Sequence, residues 1–163
     1  MTATAVKIEI PQAMRKEHAE LHAALEAATG APGRVGEAAR EVARVLHPHF
    51  VREEEIALPP LGLLRELAGD GVSPAMAGVL PLTDALKAEL PRMLEEHVAI
   101  RAALQKLAAA ARAERRPDVA ELAERVMVHA ATEEQVSYPA AVLVGEYVRL
   151  ALEPAKRGAM AAA

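Results

Sequence analysis

Two stretches of this chain repeat one another about 80 residues apart, and that repeat constrains the fold more than any other feature. Glu17-His18-Ala19-Glu20-Leu21 is echoed by Glu96-His97-Val98-Ala99-Ile100, at an offset of 79 residues. His49-Phe50-Val51-Arg52-Glu53-Glu54 is echoed by His129-Ala130-Ala131-Thr132-Glu133-Glu134, at an offset of 80. A proline follows each block glutamate by six residues, as Pro59 and Pro139. The order along the chain is therefore His, His-x-x-x-Glu, His, His-x-x-x-Glu, the signature of a duplicated helix pair.

Each block lies at the centre of a helical apolar stripe. The first stripe is Met14, His18, Leu21, Leu25 and Ala28, and the second is Val35, Val42, Leu46, His49, Glu53 and Ile56. The third is Met93 or Leu94, His97, Ile100, Leu104 and Leu107, and the fourth is Leu122, Val126, His129, Glu133 and Val136. Polar groups thus stand where a core-facing stripe should be apolar. Burying them unpaired costs several kcal/mol at the upper end of transfer scales, so something must compensate.

Breakers divide the stripes into four helices. Pro11 opens the first, which runs to about residue 29, and Gly30-Ala31-Pro32-Gly33 is a turn. The second covers about 34–57 and is stopped by Pro59-Pro60. Residues 61–81 are rich in Gly and Pro, with room for short helical turns. The third covers about 83–113, with Pro91 placed to kink or split it. Pro117 restarts the chain for a fourth helix to about residue 138, and a last helical piece after Pro139 reaches about residue 152. The expected fold is all-α: an antiparallel up-down four-helix bundle with short extra helical segments. All 163 residues are read as one domain, with the bundle at about 11–152 and a frayed C-terminal tail around Lys156-Arg157-Gly158.

Composition agrees. Apolar residues make up 52% of the chain but aromatics only 2%, so Ala and Leu, both strong helix formers, carry the core. With no cysteine, disulfides, thiolate zinc sites and thiol catalysis are excluded. The opening residues lack a basic segment followed by an apolar one, so no signal peptide is expected, and no apolar run reaches membrane-spanning length. A cytoplasmic location without membrane contact is the expectation. The net charge of −4 and the near absence of stacking aromatics argue against nucleic-acid binding.

Helix geometry makes the four blocks converge. Residues i and i+4 share a face, so His49 and Glu53 reach one centre, as do His129 and Glu133. His18 lies about 11 residues from the end of its helix and His49 about 14–15 from the start of the next. At 1.5 Å per residue those are roughly 17 and 22 Å, so the two sit at similar depth after the turn. His97 and His129 meet the same test. Four imidazoles and two carboxylates exceed what one tetrahedral zinc needs. They suit two metal ions, each with two histidines, bridged by both glutamates. Mixed nitrogen and oxygen donors favour iron ahead of manganese or zinc. The Glu-x-x-His spacing of ferritin-like di-iron bundles is absent.

With these residues in place, the chain resembles the hemerythrin-like family, also called the HHE cation-binding domain. The resemblance rests on His18, His49-x-x-x-Glu53 with Glu54 and Pro59, His97, and His129-x-x-x-Glu133 with Glu134 and Pro139. It extends over about residues 11–150. It implies a non-haem pair of irons, oxo- or hydroxo-bridged, that meets O2 or related small molecules. The oxygen-carrying hemerythrins have a second histidine one turn along the third helix, where this chain has Arg101. They also have His-x-x-x-x-Asp on the fourth helix, where this chain has His129-x-x-x-Glu133. Those departures place it with the bacterial HHE proteins. His22, one turn beyond His18, could replace the missing fifth histidine by symmetry.

Other residues carry alternatives. Glu54, Glu134, Glu17 and Glu96 either orient ligands or face solvent. His47, two residues from His49, is read as surface. Tyr138 is assigned to packing ahead of a role in the pocket, and Arg101 either binds a small anion or closes the site with an ion pair. The leading function is binding, sensing or reacting with O2, NO or peroxide. A di-iron peroxidase- or oxidase-like enzyme and a metal-storage or regulatory interaction module are the alternatives. Expected partners are a small diatomic or peroxide ligand, with a homo-oligomer or a regulatory protein left open.

Overall fold

A computed structural model describes residues 6–161, with side chains as far as Glu153. Helices α1 (Gln12–Thr29) and α2 (Gly33–Arg52) form the first hairpin. A short π-helical turn follows α2 at Glu53–Ala57, then a 3-10 turn at Pro59–Leu63, the short α3 (Leu64–Gly69) and a second 3-10 turn at Pro74–Val79. Helices α4 (Leu80–Ala113) and α5 (Pro117–Thr132) form the second hairpin. A second π turn, Glu133–Ser137, leads into α6 (Tyr138–Ala161). Among the described residues there is no strand. Among the described residues no helix is long and apolar enough to cross a membrane.

Side-chain pairs fix the directions. Between α2 and α4, Glu41 meets Lys106, His49 meets His97 and Arg52 meets Glu89. Between α1 and α5, His18 meets His129 and Glu20 meets Arg125. In each case numbering climbs on one helix as it falls on the other, so the neighbours are antiparallel. Contacts close the ring α1–α2–α4–α5–α1. This is the expected four-helix bundle, with short tight turns joining antiparallel neighbours. The α4–α5 turn is capped by Arg116 N–H to the Ala111 carbonyl and Arg115 N–H to the Arg112 carbonyl, with Arg115 at φ 56°.

The core has a larger part and smaller parts. Leu21, Leu25, Val42, Leu46, Ile100, Leu104, Leu107 and Val126 belong to the cluster towards the two hairpin turns. Leu58, Leu86, Met93 and Tyr138 belong to the cluster beyond the polar blocks. A third lies under the 59–79 connection, with Leu63, Val79, Val144 and Val148. The polar blocks are therefore sandwiched between apolar layers.

Several expected details change. α4 is one continuous 34-residue helix, so Pro91 does not split it. Pro48 is likewise accommodated within α2. α6 runs to Ala161, beyond the expected end near residue 152, and the side chains of the tail expected to fray lie outside the described residues. Most instructive is Val136, expected in the core stripe but 60% exposed. It lies in the second π turn, where each turn takes in one more residue than in an α-helix. The inward positions move to Ser137 and Tyr138, both buried.

Candidate metal centre

Each polar block stands at an equivalent point of its hairpin. His18 comes from α1, His49 from the end of α2, His97 from α4 and His129 from the end of α5. Glu53 and Glu133 open the two π turns. In both turns the fifth residue after the glutamate bonds back to it: Leu58 N–H to the Glu53 carbonyl and Tyr138 N–H to the Glu133 carbonyl. The next residue is proline in each, which brings no N–H and crowds the carbonyl four residues earlier. The widened turn accommodates that loss, and such turns recur at functional sites.

All six predicted donors are buried, none more than 5% exposed. They fall into two groups that share both glutamates. His18, Glu53, His129 and Glu133 form one, and His49, Glu53, His97 and Glu133 the other; within each, one potential ligand atom per residue lies within 4.8 Å of the rest. Each carboxylate divides its oxygens between the groups. Glu53 Oε1 is 3.1 Å from His49 Nε2, and its Oε2 is 3.8 Å from His18 Nε2. Glu133 Oε1 is 2.9 Å from His129 Nε2, and its Oε2 is 3.4 Å from His97 Nε2. Each glutamate thus offers one oxygen to either histidine pair.

A second ring of glutamates orients the imidazoles. The Nδ1 atoms of His18, His49, His97 and His129 lie 3.1, 2.8, 2.9 and 3.4 Å from Glu54, Glu96, Glu134 and Glu17, in that order. Every one of these glutamates adjoins a donor in sequence, so the duplication repeats in the outer shell. A carboxylate can only accept, so each Nδ1 carries the proton. With Nδ1 so occupied, the Nε2 atom of each ring is the one that faces inward. His49 and His97 Nε2 are 2.8 Å apart, and His18 and His129 Nε2 are 3.2 Å apart. Lone pairs at that separation repel unless a cation, proton or metal, lies among them.

The electrostatics say the same. Burial acts to lower the pKa of His49, but the hydrogen bond and charge of Glu53, with Glu96 and Glu133, outweigh it and raise it to about 9. His129 is raised likewise, against burial, chiefly by Glu133. Burial, reinforced by the charge of Glu133, raises Glu53. Glu133 is held well below the usual carboxylate range, against burial, by His129, His18 and His97. Protons thus collect where positive charge is wanted. Two buried oxygens, Glu53 Oε2 and Glu133 Oε1, still have no hydrogen-bond partner, and both face the His18 side. Orphaned buried carboxylate oxygens are rare in folded proteins, and a cation between them is the direct remedy. The donor set fits a pair of divalent or trivalent ions.

The remaining candidates also find places. His22 is exposed, its ring 5.3 Å from that of His47, and it belongs to neither donor group. One turn along α1 carries it past the bundle seam, so the structure does not bring it in as a replacement fifth histidine. Arg101 is paired at 2.7 Å with Glu134, the partner of His97, so it braces the outer ring. Tyr138 is the residue that sequence reasoning underrated. Its hydroxyl donates to Glu53 Oε1 and lies 3.3 Å from Nε2 of both His49 and His97. Burial and the two carboxylate charges push its phenol upward, so in the metal-free cluster it stays a donor. Phe50 stacks on His18 at 4.2 Å. A groove of ≈ 250 Å³ between α1 and α2, lined by His22, His47, Phe50 and Glu54, reaches His18 from outside.

Comparison with known proteins adds one finding. Residues 9–141, well over half of the chain, match the family described as Hemerythrin HHE cation binding domain. No curated protein and no solved structure matches the chain.

Proposed function

The chain belongs to the hemerythrin HHE cation-binding family, and from that premise we propose that it is a non-haem di-iron protein that binds, senses or reacts with O2, NO or peroxide. The observation that carries the reading is the division of Glu53 and Glu133, one oxygen of each to either histidine pair. His18 and His129 would hold one ion and His49 and His97 the other, with both glutamates shared. Imidazole and carboxylate donors suit iron, with manganese or zinc as the alternatives. When bound, such an ion pair supplies open coordination positions and one-electron chemistry.

The protein's own residues supply the rest. Glu54, Glu96, Glu134 and Glu17 fix the imidazole tautomers. Leu21, Leu25, Phe50 and Ile100 on one side and Leu58 and Met93 on the other exclude bulk water, which strengthens every charge interaction inside. The groove at His18 admits a molecule of a few atoms. The test is spectroscopic: reduced, iron-loaded protein is exposed to O2, azide or NO. The reading expects the iron absorption to change with each, and an unchanged spectrum contradicts it.

A further inference from the structure

On the di-iron reading above, we propose that Tyr138 is itself a metal ligand, so that its phenol oxygen makes the two ion positions unequal. The ion among His49, His97, Glu53 and Glu133 gains a fifth protein donor, and the one at His18 and His129 does not.

The first support is distance. Donors about 2.1 Å from one ion, at right angles, lie about 3 Å from each other. His49 Nε2 is 2.8 Å from His97 Nε2 and 3.1 Å from Glu53 Oε1. The Tyr138 oxygen is 3.3 Å from both imidazole nitrogens and hydrogen-bonded to Glu53 Oε1. It therefore stands near the separation of donors around one ion from both imidazole nitrogens, and is hydrogen-bonded to the third donor of the group, Glu53 Oε1.

The second support is the broken repeat. Tyr138 follows Glu133 by five residues, as Leu58 follows Glu53, and each closes its π turn by the same backbone bond. Two like backbones thus carry an oxygen donor in one half and an isobutyl group in the other. The His18 side has instead Phe50 stacked on the imidazole, two carboxylate oxygens without partners, and the outside groove. One ion position is closed by the chain and the other is left to an external ligand.

Coordination breaks the phenol O–H bond, forms an oxygen–metal bond and releases the proton to water; no oxidant or reductant is consumed. An anionic oxygen favours the more highly charged ion, so the iron at His49 and His97 should be the harder one to reduce.

The full-length chain is loaded with ferric iron, its metal is counted by elemental analysis, and resonance Raman spectra are recorded in the visible. The proposal expects enhanced tyrosine ring modes in the wild type. It expects their loss in Tyr138→Phe, which keeps two irons because the histidines and glutamates remain. A two-iron wild type without enhanced tyrosine modes overturns the proposal while leaving the di-iron reading intact, as does a two-iron Tyr138→Phe that retains them. A wild type that takes up no iron overturns both. The wild-type spectrum decides even if the variant fails to fold.

Discussion

Glu96 reaches the cluster only through His49 Nδ1, at 2.8 Å, and is itself held by Arg92 at 3.0 Å. It therefore separates orientation from ligation. Replacing such an outer partner typically costs 10–100-fold in metal affinity. Glu96→Ala should weaken metal binding by about that factor, read by competition with a chromophoric chelator, whereas His22→Ala should leave it unchanged. A second residue-scale expectation concerns pH. The folded metal-free chain holds the His49 proton up to about 9, above the ordinary histidine value of 6.5. That proton's contribution to metal-free stability is complete below about 6.5 and is lost as pH rises through about 9. Metal must displace it, so affinity should climb over the same window. An affinity that is flat or falls from pH 6.5 to 9 would remove the proton competition.

At the scale of elements, the α4–α6 contact is set by Gly145. A Cβ there would fall well inside contact distance of the buried Thr83 side chain. Gly to Ala in a helix ordinarily stabilises by up to about 1 kcal/mol. Here overpacking should reverse the sign, with Gly145→Ala destabilising by about 1–3 kcal/mol in denaturant titration. A Thr83→Ala background should relieve only part of its effect, since it removes the Thr83 Oγ1 and methyl but leaves the Cβ, which also lies too close. The elements also show what the sequence could and could not disclose. His49 with Glu53 and His129 with Glu133 were legible because i, i+4 spacing holds up to the last turn of α2 and α5. Tyr138 was not, because the α-helical count that places Val136 inward fails in the π turn. The recurring proline six residues after each glutamate was the available signal of that change. The outer ring was half legible: adjacency marked Glu17, Glu54, Glu96 and Glu134, but their pairing with histidines of other helices needed the fold.

Over the whole molecule, two stabilising systems share one bundle. The apolar cluster around Leu46, Ile100 and Leu104 buries side chains worth about 1.5–3 kcal/mol each. The cluster of six polar groups beside it opposes folding until its charges are matched. Metal that binds only the folded chain, at a hundredfold excess over its dissociation constant, adds about 2.7 kcal/mol. For a domain of this size that corresponds to about 5–10 °C in Tm. That figure is for one ion; chelation removes both and should lower Tm by about 10–20 °C in calorimetry without abolishing the helical signal, because the apolar layers on both sides of the site remain. On the proposed reading, six side chains from four helices hold two ions through shared glutamates. Elemental analysis of the purified full-length chain, with protein quantified independently, tests it most directly. Two metal ions per chain, lost together in Glu53→Ala, is the predicted result. A single ion, or none, would contradict it.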